Sequence, residues 1–261
     1  MHNFNKIFLP VVAGLASSFL LSYSAHAATL GQNLIVNGDA EQGSGDPIGN
    51  AVGADIPTIP GWNTTGDFSV IKYGATGFNF VNGFNQLVSV TLPGLNVPGP
   101  INRGENLFFG GANRASSRAT QVINVANLTS IIDAGNAIYD LSGWLGGYSN
   151  DQDIPSLNIT FLDQASQSLG TASISAPTPA QRNNETGLFF QSTVGHVPIS
   201  TRQMNVVLNA AYTRGRVNDS FADNLSLVIT QVPESSFSAF ILIGGFCFAA
   251  WKLQKKRPLI H

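Results

Sequence analysis

The chain has 261 residues, of which 43% are hydrophobic and 11% are charged, which is enough to bury a core without covalent support. Its 13 Lys and Arg residues against 15 Asp and Glu residues exclude the basic character of a nucleic-acid-binding protein. The single cysteine is Cys247, so a disulfide framework and a cysteine-rich metal site are also excluded.

The N-terminal 27 residues have the pattern of a secretory signal peptide. Lys6 supplies the initial positive charge, an apolar stretch covers residues 7–21, and the small residues Ala25 and Ala27 fit a cleavage site. We therefore expect the chain to be exported across the inner membrane, with a mature end at Ala28.

The end of the chain has the three parts of a membrane-sorting segment. A basic cluster after an apolar helix stops the helix in a membrane with the basic end in the cytoplasm. The apolar run spans roughly 22 Å as a helix, short of the roughly 30 Å hydrocarbon core. A buried core helix is the alternative, but such a helix would have a polar face. The parts are the motif Val232-Pro233-Glu234-Ser235, the predicted membrane helix at residues 237–251 and the basic end at residues 252–257.

This order of parts over residues 232–261 resembles the PEP-CTERM sorting tail, in which Ser235 stands at the position of a second proline. The resemblance implies an exosortase-type processing protease as a partner, which cuts near the motif. It also implies a transient membrane anchor through the C-terminal helix, followed by a place at the cell surface or outside the cell.

The part of the chain between these segments is acidic. It keeps eight basic residues, while all 15 acidic residues lie between Asp39 and Glu234, which gives the exported part a charge near −7. This charge argues against nucleic acid and anionic lipid as partners. It is compatible with calcium and with neutral sugars.

Residues 28–231 are predicted to form one all-β domain. Short runs of β-forming residues alternate with turn residues, which predicts an antiparallel jelly-roll β-sandwich. One short helix is predicted at residues 128–134, between an Asn cap and a Gly stop. The predicted strands cover residues 33–37, 67–73, 86–92, 106–109, 119–125, 137–145, 156–162, 168–174, 187–196, 203–212 and 220–230.

Several segments of this domain are similar to galactose-binding-like jelly rolls and carbohydrate-binding modules. The similarity includes the opening NLIVNGDAE at residues 33–41, Trp62, LSGWLGG at 141–147, TFLD at 160–163 and the closing ADNLSL at 222–227. It implies that the first and last strands are neighbours and that a structural calcium ion lies between them.

The resemblance assigns this calcium to Asp39, Glu41 and Asp223, and calcium does prefer carboxylate and carbonyl oxygens. The alternative is that Asp39 is a turn residue and Asp223 caps a strand. A second acidic loop at residues 151–153, DQD, favours a solvated turn over a metal site, because it lacks the glycine and distal glutamate of an EF-hand loop.

Aromatic residues are the candidates for sugar binding. Strand alternation places Trp144 on one face of its strand, and Tyr148 follows in the next loop. Exposed aromatic rings can stack on pyranose rings, so both are candidate binding residues. The alternative is that they pack in the core, where aromatic side chains contribute much of the buried area.

Catalysis has little support in the sequence. His196 is the single histidine of the predicted domain, and neither a nucleophile elbow nor a phosphate-binding loop accompanies it. A carboxylate pair for glycoside hydrolysis stays open, because its spacing is spatial. We therefore expect a non-enzymatic protein of the extracellular polysaccharide or biofilm matrix, either carbohydrate-binding or structural. The alternative is an extracellular glycosidase or esterase on the same scaffold.

Overall fold

The computed structural model describes residues 28–50 and 58–232. The predicted cleavage residues Ala25 and Ala27 lie outside these ranges, as do the sorting motif after Val232 and the predicted membrane helix with its basic end. Across the described ranges, no helix is long and apolar enough to cross a membrane.

The described chain is almost entirely made of strands, joined by turns and by one short helical segment. In chain order the elements are β1 (Asn63–Thr65), β2 (Ser69–Lys72), β3 (Phe78–Val81), β4 (Leu87–Val90), β5 (Asn106–Gly111), β6 (Ser117–Asn124), a 3-10 turn (Ala126–Leu128), α1 (Thr129–Asp133), β7 (Ala137–Gly147), β8 (Ile154–Leu162), β9 (Ser168–Ser175), β10 (Gly187–His196), β11 (Gln203–Ala211) and β12 (Asn218–Gln231).

These strands form two five-stranded sheets and a separate hairpin. Sheet I has the order β1-β6-β11-β8-β9, sheet II has the order β10-β7-β12-β5-β2, and β3 pairs with β4. Every pairing is antiparallel. The prediction of an all-β antiparallel sandwich is therefore confirmed.

The main core lies between the two sheets. Along β8, buried and half-buried residues alternate from Ile154 to Leu162, because successive side chains of a strand point to opposite faces. Leu157 and Ile159 of this strand pack in one cluster with Leu141 of β7. Burial of such side chains stabilises the fold by about 1.5–3 kcal/mol each.

A smaller hydrophobic cluster covers the outer face of sheet II. Its buried members include Leu107 and Phe109 of β5 and Phe221 of β12, and Trp144 and Tyr148 pack against it. Phe108 and Ala222, the neighbours of these residues along the strands, belong to the main core instead. Sheet II therefore has apolar side chains on both of its faces.

The predicted strands agree closely with the observed ones. Ten of the eleven match an observed strand to within two residues at each end, and the predicted helix at 128–134 contains α1. The exception is the first predicted strand, residues 33–37, which forms turns and a single bridge from Asn33 to Val228. Strands β1 and β3 were not predicted.

The opening segment, residues 31–38, nevertheless lies beside the last strand. Leu34 N donates to Leu227 O (2.8 Å), and Leu225 N donates to Gly38 O (2.8 Å). The Asn33 side chain accepts a hydrogen bond from Leu227 N (2.9 Å) and donates one to Leu225 O (2.9 Å). This side chain replaces ladder bonds of the backbone, which is why the segment is not a regular strand.

Gly38→Ala is expected to lower the free energy of unfolding by about 1–3 kcal/mol, the usual cost of overpacking. A Cβ atom at Gly38 would clash with the Leu225 carbonyl oxygen, so the opening segment would have to move away from β12. Urea denaturation measures the change. Gly83→Ala is the matched control, because a Cβ there meets nothing within 4 Å, and a shift as large as that of Gly38→Ala would contradict this explanation.

Candidate functional site

A groove of about 440 Å³ opens between the opening segment and β12. Five of its lining side chains are carboxamides, and one is a carboxylate, Asp39. Trp144 of β7 supplies the aromatic wall. The volume lies within the usual range of small-molecule pockets, and we call this site the amide groove. The carboxamides are Asn33, Asn37, Gln42, Asn102 and Asn224.

Two of the carboxamides have structural roles. Asn37 donates to Pro60 O (2.9 Å) and accepts from Gln42 N (2.8 Å), and Asn33 holds the opening segment on β12, as described above. The other three are at or near the surface: Asn224 Nδ2 donates to Asn102 Oδ1 (3.2 Å) in an exposed bond, and Gln42 is exposed. Their amide groups can donate and accept at the same time.

Trp144 is half-buried, with its ring supported by the smaller hydrophobic cluster. Phe190 of β10 is its cross-strand partner, and the two rings meet edge to face with centroids 5.8 Å apart. Phe190 is 54% exposed, so an aromatic surface continues from the groove across β10. Tyr148 packs against the same cluster but is not among the residues that line the groove.

Of the three predicted metal residues, Asp39 lines this groove, and Glu41 and Asp223 lie near it. Asp223 is the cross-strand partner of Trp144 on the other side and is fully buried. Its Oδ2 accepts a hydrogen bond from Tyr73 Oη (2.7 Å), and its Oδ1 accepts one from Asn224 N (2.7 Å). Burial raises the pKa of Asp223 to about 8, and repulsion from Glu41 and Asp39 adds to this rise against the lowering effect of the two hydrogen bonds.

Glu41 and Asp39 are held by other contacts. Glu41 Oε1 accepts hydrogen bonds from the backbone N–H groups of Glu105 (2.9 Å) and Asn106 (2.8 Å). Asp39 Oδ1 accepts a longer hydrogen bond from Glu41 N (3.4 Å). This bond is typical of a turn residue, which is the alternative role of Asp39 considered from the sequence. The structure thus places all three predicted residues in one region, and their joint binding of an ion stays a prediction.

A second group of acidic residues has its carboxylate oxygens close together. Among the described residues, the group of three whose ligand oxygens all lie within 4.8 Å of one another is Asp151, Asp153 and Asp219. We call it the acidic triad. Such a group could hold a metal ion, and carboxylate oxygens suit calcium.

The expectation of a solvated turn at residues 151–153 is wrong for Asp153, which is 2% exposed. Its carboxylate accepts hydrogen bonds from the backbone N–H groups of Thr213, Arg214 (3.4 Å) and Asp219 (3.0 Å). Burial raises the pKa of Asp153. These amides come from parts of the chain far from the loop, so its local sequence could not indicate the burial.

Several residues of these sites were not predicted. Phe190 lies in a correctly predicted strand, but its pairing with Trp144 depends on the register between β10 and β7. Asn102 and Gln42 lie in loops, where polar residues are ordinary. Asp219 is the second residue of β12, far along the chain from the DQD loop. Alternation along β10 groups Phe190 with Leu188 and Val194, which is the more apolar set of positions, so alternation could not indicate that its ring is exposed.

No protein-family model matches the sequence, and no curated protein is significantly similar to it. Among solved structures, the chain is similar to a CBM4 carbohydrate-binding module at 10% identity, with a TM-score of 0.32, over 75% of this chain and 99% of that one.

The CBM22-1 xylan-binding domain of Paenibacillus barcinonensis Xyn10C is similar at 9% identity, with a TM-score of 0.34, over 67% of this chain and 89% of that one. The enzymatically active domain of tailspike protein 4 from bacteriophage CBA120 is similar at 15% identity, with a TM-score of 0.43, over 76% of this chain. The chain spans 21% of that tailspike chain. At these identities the similarity concerns the β-sandwich fold alone.

Proposed function

We propose that this domain binds a neutral polysaccharide in the amide groove, without catalysing a reaction on it. The observation that carries the proposal is the position of Trp144. Its ring rests on the smaller hydrophobic cluster and forms the wall of a groove whose other lining side chains are mostly carboxamides.

The aromatic wall supplies the apolar part of sugar recognition. A pyranose ring has C–H groups on its faces, and these can pack on an aromatic ring that is held rigidly from behind. Trp144 is held in this way by the cluster and by Phe190. Little side-chain freedom is then lost on binding, which favours affinity.

The amides supply the polar part. A sugar hydroxyl donates one hydrogen bond and accepts others, so it is matched by a group that does both. Gln42, Asn102 and Asn224 are such groups at the groove. They carry no charge, which agrees with a neutral ligand.

The arrangement of carboxylates supports binding over hydrolysis. Glycosidases use two carboxyl groups that flank the scissile bond, about 5–9.5 Å apart. Asp39 is the one carboxylate among the residues lining the amide groove, and the nearby Asp223 is fully buried and accepts hydrogen bonds from Tyr73 and Asn224. The alternative, an extracellular glycosidase or esterase, is not supported by a pair of carboxylates lining this groove.

The calcium ion that the family resemblance implies at Asp39, Glu41 and Asp223 would join the opening segment to β12 as a structural support. The donor chemistry is suitable, because carboxylate oxygens are hard ligands. Glu41 and Asp223 also accept hydrogen bonds from N–H and O–H donors, so these two carboxylates have partners without an ion.

We further propose that the domain works outside the cell, within the extracellular polysaccharide or biofilm matrix. This rests on the predicted signal peptide and sorting tail, through which an exosortase-type protease would process the chain. A polysaccharide ligand agrees with such a location.

Trp144→Ala is expected to weaken polysaccharide binding at least tenfold, about 1.4 kcal/mol, because the stacking surface is lost. Affinity electrophoresis in gels that contain soluble glucans, xylans or galactans measures this effect. Phe84→Ala is the matched control, since Phe84 is also aromatic and is 86% exposed away from the groove. It is expected to leave binding unchanged.

Two results would overturn the proposal. One is that no polysaccharide retards the wild-type protein, or that Trp144→Ala is retarded as strongly as the wild type. The other is turnover of a glycoside or ester substrate that disappears in Asp39→Asn, which would favour the hydrolase.

A further inference from the structure

We propose that the acidic triad of Asp151, Asp153 and Asp219 is a binding site for a divalent cation, with calcium preferred. The site lies at the end of the sandwich formed by the loop after β7 and the start of β12. It is separate from the amide groove, with which it shares no lining residue.

The spacing of the oxygens fits one ion. Calcium binds oxygen ligands at about 2.3–2.6 Å, so two ligands of the same ion lie at most about 5 Å apart. The three carboxylates offer oxygens that all lie within 4.8 Å of one another. They come from two separate parts of the chain, so an ion would join the DQD loop to β12.

A buried oxygen without a partner points to a missing ligand. Asp219 is 6% exposed, and its Oδ1 is buried without a hydrogen-bond partner in the structure. A buried carboxylate oxygen without a partner lowers the stability of the fold, because it has lost its hydrogen bonds to water and has formed none within the protein. Asp219 N donates to Asp153 Oδ2 (3.0 Å), which fixes the two residues beside one another.

The charges at the site do not balance. Arg182 is buried next to the triad, but its guanidinium donates to the carbonyl oxygens of Tyr148 (3.2 Å), Asp151 (3.0 Å) and Glu185. It forms no ion pair with the triad among the described residues. The other guanidinium nearby, that of Arg214, donates to Asn150 O (3.3 Å), so neither guanidinium is bonded to a triad carboxylate. With all three carboxylates ionised, these two guanidinium groups would leave a net negative charge, which a divalent cation would offset.

The ligand type explains the preference for calcium. Carboxylate oxygens suit calcium, whereas zinc favours histidine and cysteine. Neither of those residue types belongs to the triad.

The test is to titrate calcium into the chelator-treated protein. Binding is measured by isothermal titration calorimetry, and the gain in stability is measured by thermal unfolding. At a hundredfold excess of calcium over its Kd, the melting temperature of the wild type is expected to rise by about 5–10 °C. Asp219→Asn keeps the shape of the side chain and is expected to abolish the part of this rise that is due to the triad, leaving at most the response of an ion bound around Asp223. Without calcium, this variant should melt no lower than the wild type at pH 7, because one repelling charge is removed.

Asp140→Asn is the matched control, because Asp140 is exposed on β7 and does not belong to the triad. It is expected to keep the calcium response. Asp223→Asn tests the other acidic group, to which the family resemblance assigns an ion. If Asp223→Asn loses the response and Asp219→Asn keeps it, the ion belongs to the group around Glu41 and the proposal is wrong. A wild type that binds no calcium also overturns it.

A second variant covers the case in which Asp219→Asn does not fold. Asp151 is only half-buried, so Asp151→Asn is expected to fold and to bind calcium at least tenfold more weakly. Unchanged calcium affinity in a folded Asp151→Asn variant would contradict the site. These measurements use no polysaccharide, so their outcome is independent of the proposed function.

Discussion

Phe108→Ala is expected to lower the free energy of unfolding by about 3–5 kcal/mol, the usual range for removal of a buried phenylalanine ring. Phe108 is 1% exposed and lies on β5 in sheet II. Its ring meets Trp62 edge to face at 5.6 Å and Phe68 at 5.9 Å, measured between ring centroids. The cavity would therefore open in the middle of the aromatic part of the core.

Urea denaturation followed by tryptophan fluorescence is a direct measurement, because Trp62 is in contact with the mutated ring. Phe84→Ala is again the matched control and is expected to change stability by no more than about 0.5 kcal/mol. Similar losses of stability in the two variants would contradict the burial of Phe108 in the sandwich core.

Metal-free protein is expected to become less stable as the pH rises from about 4 to 8, with Asp223 as a main cause. An ordinary Asp carboxyl has a pKa of about 3.9, whereas burial raises the pKa of Asp223 in the folded state to about 8. Between these values the unfolded chain has released this proton and the folded chain still holds it. Stability therefore falls with rising pH through this window and levels off above it. The interval between the two pKa values sets an upper bound of about 6 kcal/mol on the loss of stability caused by Asp223.

Asp223→Asn removes this titration and is expected to flatten the pH dependence. Thermal unfolding at pH 5, 6, 7 and 8 with a chelator measures the slope. The remaining slope belongs to Asp153 and Asp219, whose pKa values burial also raises. Asp140→Asn is the control, because Asp140 is exposed on β7 and should leave the slope unchanged. A wild-type stability that is constant or rises over this range would contradict the burial of an unpaired Asp223 charge.

Most of the strands could be predicted because their apolar residues alternate with polar ones. In β8 and β11 this alternation is determined by the core on one side and solvent on the other. It could not indicate β1, whose three residues are all polar and which pairs at the edge of sheet I. Nor could it show that the Asn33 side chain bonds to β12 and turns the first predicted strand into a bend.

The candidate sites were less predictable, because they combine residues from distant segments. Trp144 could be identified from its strand, yet the amide groove also needs Asn102 and Gln42 from loops. The acidic triad depends on Asp219, which lies 66 residues beyond Asp153. Local sequence describes each of these residues as an ordinary polar position, and the fold alone brings them together.

The position of β12 in sheet II has a consequence for the order of assembly. This last described strand lies in the middle of the sheet, between β7 and β5, and it also holds the opening segment through Leu225 and Leu227. A chain that emerges from its N-terminal end, from a ribosome or through a translocation channel, therefore lacks the centre of sheet II until residue 231 has emerged. Since pairing of distant strands is slow, closure of sheet II around β12 is expected to be a late step of folding, whereas all strands of sheet I have emerged by Ala211.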